Sequence, residues 1–67
     1  MFNRKKLTDF MKKQGVSASE LARRFGVTEG AIRHITTGLK QPSLAMTVDI
    51  AKWMGCTVDE LCKKEDT

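Results

Sequence analysis

The chain has 67 residues, the size of one small domain that buries only about 60% of its unfolded surface on folding. Hydrophobic residues at 40% are enough for a single core, and 12 Lys and Arg against 8 Asp and Glu give a net charge of +4, a modest bias towards a polyanionic partner. No apolar run approaches the roughly 18 residues of a membrane span, and the basic N-terminal stretch lacks the apolar centre of an export signal, so the expectation is a cytoplasmic protein with no membrane partner.

The first helix is expected over residues 4–14. Asn3 caps it, Phe2 and Leu7 form a hydrophobic staple across the cap, and Leu7, Phe10 and Met11 make an apolar stripe at helical spacing. Its Arg4-Lys5-Lys6 run leans on phosphate or is simply solvated. One punctuation mark then recurs: Gly, an apolar residue, and Ser or Thr. It appears at Gly15-Val16-Ser17, Gly26-Val27-Thr28 and Gly55-Cys56-Thr57. The glycine stops one helix and the hydroxyl accepts from an orphan N–H to start the next. Glu20 and Glu60 lie three residues after Ser17 and Thr57, which completes two capping boxes. Val16 with Leu21, Val27 with Ile32, and Cys56 with Leu61 extend the same logic as staples.

The second helix is thus expected over 18–25, with Leu21, Ala22 and Phe25 inward, and the third over 29–36, with Ile32 and Ile35 inward. Glu20 and Arg24 stand four apart and suit a surface ion pair. Pro42 and Ser43 precede a fourth helix over 44–54. Its inward face is read as Leu44, Val48, Ala51 and Met54 with Ile50 beside them, which leaves Met46 and Trp53 on another side. A short fifth helix covers 58–63, and residues 64–67 are a frayed tail. Cys56 and Cys62 are expected as free thiols, and with His34 the one histidine a zinc site within the chain is not expected. The fold class is all-α: five helices, no strand, one domain over 1–67.

Residues 16–38 carry the functional signal. Two short helices joined by a tight turn at Gly26, with the small Ala22 allowing a close crossing, make a helix-turn-helix whose second helix enters a DNA major groove. The ordered set Ser17-x-x-Glu20-Leu21-Ala22, Gly26-Val27-Thr28, Ile32, Ile35, Gly38, Pro42-Ser43-Leu44 and Gly55-x-x-Val58-Asp59-Glu60-Leu61 resembles the Cro/repressor type of helix-turn-helix protein, the XRE-like family with a lambda-repressor-like fold. The resemblance runs from Leu7 to Leu61 and implies a dimeric transcriptional regulator, often of phage or prophage origin. Two departures stand out. Many members pair an arginine in the first helix with a glutamate at the end of the third, where this chain has Met11 and Thr36. Members often start the second and third helices with glutamine, where this chain has Ala18 and Glu29.

Helical rotation puts Glu29, Gly30, Arg33, His34 and Thr37 on the outer side of the third helix. Arg33 is the base reader, bonding guanine O6 and N7, or else a phosphate contact or a solvated charge. His34 reads a base edge or is a passive surface residue. Glu29 accepts from cytosine or serves the positive end of its helix. Thr28 caps and offers its methyl to thymine, and Gly30 allows close approach or is incidental. Phosphate contacts fall to Ser17, Ala18 and Ser19 at the start of the second helix and to Thr37, Lys40 and Gln41 after the third. A dimer interface is expected from Met46, Ile50, Trp53 and Cys62. No paired carboxylates, nucleophile–base pair or phosphate-cradling loop is present, so no catalysis, cofactor, metal or small-molecule ligand is expected. The expected partners are double-stranded DNA with a palindromic operator and a second copy of the chain. The competing reading is an antitoxin or adaptor that works through the apolar face of the fourth and fifth helices.

Overall fold

Five helices follow one another in the computed structural model, which describes residues 2–62: α1 (Arg4–Gln14), α2 (Ala18–Phe25), α3 (Glu29–Thr36), α4 (Leu44–Met54) and α5 (Val58–Leu61). No strand occurs among the described residues. The first four helices have the bounds that capping chemistry predicts. The fifth is shorter: Cys62 is its C-cap. Lys63 and the tail over 64–67 lie outside the described residues.

Every helix starts on a side-chain oxygen that accepts a backbone N–H three residues on. Asn3 Oδ1 takes Lys6 N–H at 3.1 Å, Ser17 Oγ takes Glu20 N–H at 3.2 Å, Thr28 Oγ1 takes Ala31 N–H at 3.1 Å, Ser43 Oγ takes Met46 N–H at 3.1 Å, and Thr57 Oγ1 takes Glu60 N–H at 3.2 Å. Both capping boxes close, because Glu20 Oε1 accepts from Ser17 N–H at 3.2 Å and Glu60 Oε1 from Thr57 N–H at 3.4 Å. Glu20 is therefore engaged at its cap. Arg24, its expected ion-pair partner, instead lies over the Trp53 ring, 6.0 Å from the centroid.

The core is one cluster of Phe2, Leu7, Met11, Leu21, Ala22, Ile32, Ile35, Ile50, Ala51 and Leu61. It draws on every helix, and α2 against α3 is the most extensive helix pair. Ala22 is buried there, and Gly26 makes the turn between them at φ 71°, a left-handed conformation that glycine adopts without a Cβ penalty. Met11 is buried and Thr36 half-buried, and both line one surface depression beside Ser17. Both members of the family's ion pair are replaced together, so no buried charge is stranded.

The expected inward face of α4 needs correction. Leu44 is 73% exposed, whereas Thr47 is 3% and Ile50 1% exposed. The inward stripe is Thr47, Ile50 and Ala51, with Val48 and Met54 half-buried beside it. A threonine can be buried here because its hydroxyl donates to Ser43 O at 2.8 Å, so no polar group is left unpaired. Trp53 stands edge-on to two rings, Phe10 at 5.0 Å and Phe25 at 6.4 Å between centroids, and so ties α4 to α1 and α2. Cys56 and Cys62 are free and half-buried. No helix among the described residues is long and apolar enough to cross a membrane.

Candidate nucleic-acid interface

The surface of α3 follows from its two buried residues. Ile32 and Ile35, at 1% and 6% exposure, fix the rotation of the helix. Gly30, Arg33 and Thr37 are then exposed, and Glu29 and His34 half-buried. Thr28, whose hydroxyl is committed to its cap, is exposed just before them.

The outward residues divide into two flanks. On one, Arg33 Nε donates to Glu29 Oε2 at 2.9 Å, and Nη2 donates to the same oxygen. The two side chains are 66% and 43% exposed. In the free protein the two candidate base readers are therefore paired with each other, the spacing of four making them neighbours on the helix. The single carboxylate oxygen takes Nε–H and one Nη2–H, and the other N–H groups of the fork stay available for a guanine edge. On the other flank, Gly30 and His34 share a groove with Lys40, Gln41, Ser43 and Met46, so the segment after α3 and the start of α4 stand beside α3.

The phosphate candidates differ in what they have left to give. The capping box uses Ser17 N–H and sets the Glu20 carboxylate beside it. Ala18 and Ser19 keep the open N–H groups of the first turn of α2. Thr37 spends both donors inside the chain: its N–H donates to Arg33 O at 2.9 Å and its hydroxyl to the same oxygen at 2.8 Å. Lys40 is exposed, and its backbone N–H donates to His34 O at 3.1 Å. Gln41 is exposed and its Oε1 accepts from Phe2 N–H at 3.1 Å.

Among the dimer candidates, Ile50 is corrected: at 1% exposure it lies in the core and has no surface to offer a partner. Met46, Trp53 and Cys62 are half-buried and pack against that core. The apolar excess on α4 is thus largely absorbed within the chain, chiefly by the Phe10–Trp53–Phe25 cluster.

In the sequence Arg4 stands only within the Arg4-Lys5-Lys6 run, read as leaning on phosphate or simply solvated. Its Nη1 donates to Thr37 O at 3.2 Å, across 33 positions of chain. Nothing in the local pattern announces such a contact, since the Arg4-Lys5-Lys6 run looks the same whether solvated or docked.

A family model described as helix-turn-helix matches residues 7–61. Comparison with curated proteins and with solved structures finds no match. The matched span runs from the buried Leu7 of α1 to the buried Leu61 of α5, and so takes in α2, α3 and α4 whole. The chain belongs to the XRE, Cro/repressor-like family of helix-turn-helix proteins, whose members are DNA-binding regulators rather than enzymes.

Proposed function

We propose that the protein is a sequence-specific regulator of the phage-repressor kind that sets α3 in the major groove of double-stranded DNA. The observation that carries this is the division of α3: two isoleucines lock its inner side, and Gly30, Arg33, His34 and Thr37 stand outward beside exposed Lys40 and Gln41. In this reading Arg33, Glu29 and His34 read base edges, Gly30 and Thr28 permit close approach, and Ala18, Ser19, Lys40 and Gln41 meet phosphate. Ser17 and Thr37 act chiefly through the helix ends that they cap. The regulator works as a homodimer on a palindromic operator, with half-sites about 34 Å apart. Met46 and Cys62 carry its interface, and Trp53 adds only its exposed part.

Selection of bound sites from random duplex DNA tests the reading directly. A palindromic consensus is the expected result. Replacing Arg33 and His34 together with alanine should abolish preference for the selected site and leave the fold intact. Survival of that preference would remove α3 from the groove. Each phosphate neutralised should contribute about 0.9 to the log–log slope of affinity against salt, so a flat response would end the DNA-binding proposal.

A further inference from the structure

Residues 2–4 reach two separate parts of the molecule. Phe2 N–H donates to Gln41 Oε1 at 3.1 Å, Asn3 N–H to Leu61 O at 2.6 Å, and Arg4 Nη1 to Thr37 O at 3.2 Å. The Phe2 side chain, 8% exposed, anchors the segment in the core. Two of these three bonds end on the segment that follows the recognition helix.

The Arg4 contact is made for that place. Thr37 O belongs to the C-terminal end of α3, where carbonyls lack helical partners and a cation meets the negative end of the helix dipole. The guanidinium also covers Gly38. A Cβ at Gly38 would fall 3.2 Å from Arg4 Cζ, and Gly38 stands at φ 85°. The left-handed backbone favours glycine there, and a Cβ would press on the guanidinium above it, which would have to shift by a few tenths of an ångström.

The Gln41 contact sets a direction. A side-chain amide has an accepting and a donating end. Because Phe2 N–H can only donate, Oε1 must face it, and the Nε2 hydrogens are turned away from that bond. A donating end is what a phosphate oxygen needs.

We infer that residues 2–4 form a strap that positions the 37–41 segment for docking on DNA. Arg4 is a positioning residue for the end of α3, and Gln41 is a phosphate donor whose amide is oriented by Phe2. This rests on the DNA-binding reading above. On this inference Arg4 acts on sequence discrimination without touching DNA. If the end of α3 shifts, base contacts along the helix lose register, whereas diffuse attraction to phosphate, spread over all the cations of the chain, falls only slightly with one of them gone.

The test compares the full chain with Arg4→Ala and Gln41→Glu, on the selected duplex and on a random-sequence duplex. Arg4→Ala should lose about tenfold on the selected duplex, equivalent to about 1.4 kcal/mol. On random duplex it should lose less than about twofold, with the salt slope unchanged. An equal loss on both duplexes, with the slope lowered by about 0.9, would make Arg4 a phosphate ligand and overturn its positioning role. No loss on either would overturn it too. Gln41→Glu keeps the acceptor for Phe2 N–H but replaces the donor with a negative charge, so it should weaken both duplexes alike, and by more than the same added charge in Gln14→Glu at the end of α1; a loss no greater than that of Gln14→Glu would remove Gln41 from phosphate. Amide exchange on the free protein gives an arm that needs no DNA. The Gly38 and Lys40 amides, which donate to Ile35 O and His34 O, should exchange faster in Arg4→Ala and at the parent rate in Gln41→Glu. Unchanged exchange in Arg4→Ala would overturn the strap. Failure of the parent chain to select any site would instead overturn the DNA-binding reading, with the exchange result still deciding the strap.

Discussion

Gly30 lies in a helix with open space around it: a Cβ built there meets nothing nearer than Thr28 Oγ1 at 4.0 Å. Nothing inside the chain requires glycine, and a glycine costs up to about 1 kcal/mol against alanine in a helix, the full value applying to interior positions rather than to the first turn where Gly30 stands. Gly30→Ala should therefore stabilise the fold and raise its melting temperature by about 4–8 °C per kcal/mol gained. On the proposed function, the same change puts a methyl where DNA approaches and should weaken binding to the selected site. Titration and thermal melts on one preparation decide the matter, and higher stability with unchanged affinity would make the glycine incidental to DNA. Glu29 raises the companion question. Its ion pair with Arg33 is exposed, and as an i,i+4 pair it is worth only about 0.3–0.5 kcal/mol. At that strength it biases the guanidinium towards one rotamer by about twofold and does not lock it. Glu29→Gln should leave stability almost unchanged and strengthen binding to random duplex, because a negative charge near phosphate is gone. It should also narrow the gap between selected and random duplex. A gap that stayed as wide would show that Arg33 does not depend on Glu29 for its aim.

At the scale of elements, α5 has four residues, too few to persist alone in water. It is held by its capping box and by Leu61, which is fully buried and whose carbonyl accepts Asn3 N–H. Thr57→Ala should cost about 1 kcal/mol, as a lost cap usually does. The loss should be local: the Cys62 amide, which donates to Val58 O, should exchange faster, while amides of α2 and α3 keep their rates. Equal acceleration everywhere would mean that α5 opens only with the whole domain. The same local chemistry explains why the helix boundaries could be read from sequence. A cap, its partner three residues on and the preceding glycine are neighbours in the chain, so Ser17, Thr28, Ser43 and Thr57 announce themselves. The rotation of α4 was harder. Ranking Leu44 above Thr47 by hydropathy points the helix the wrong way, whereas the spacing of Thr47, Ile50 and Ala51 gives the observed stripe once the threonine hydroxyl is satisfied by Ser43 O. In the candidate site, the outward face of α3 follows from Ile32 and Ile35, and the Glu29–Arg33 pair from its spacing of four. The bonds from Phe2 to Gln41 and from Arg4 to Thr37 join residues 39 and 33 positions apart, which no short-range pattern encodes.

At the scale of the molecule, Trp53 decides how protomer stability and dimerisation are related. Trp53 is the chain's one tryptophan, and it stands edge-on to Phe10 of α1 and Phe25 of α2 with Arg24 over its face. Each such aromatic pair contributes about 0.5–1.5 kcal/mol beyond the area it buries. Trp53→Ala should therefore cost about 2–4 kcal/mol, less than or near the range for truncating a fully buried aromatic. That is a large share of the roughly 5–15 kcal/mol that holds a domain together. A dimer of folded protomers has a melting temperature that rises with protein concentration, because association stabilises only the folded state. If Trp53 acts inside its own protomer, Trp53→Ala lowers the melting temperature by a similar amount at every concentration and leaves that dependence in place. Met46→Ala, at the proposed interface, should instead flatten the dependence and shift sedimentation towards the monomer. Flattening by the Trp53 change, with Met46→Ala without effect, would move the interface from Met46 to the aromatic cluster and would relocate the second half-site relative to α3.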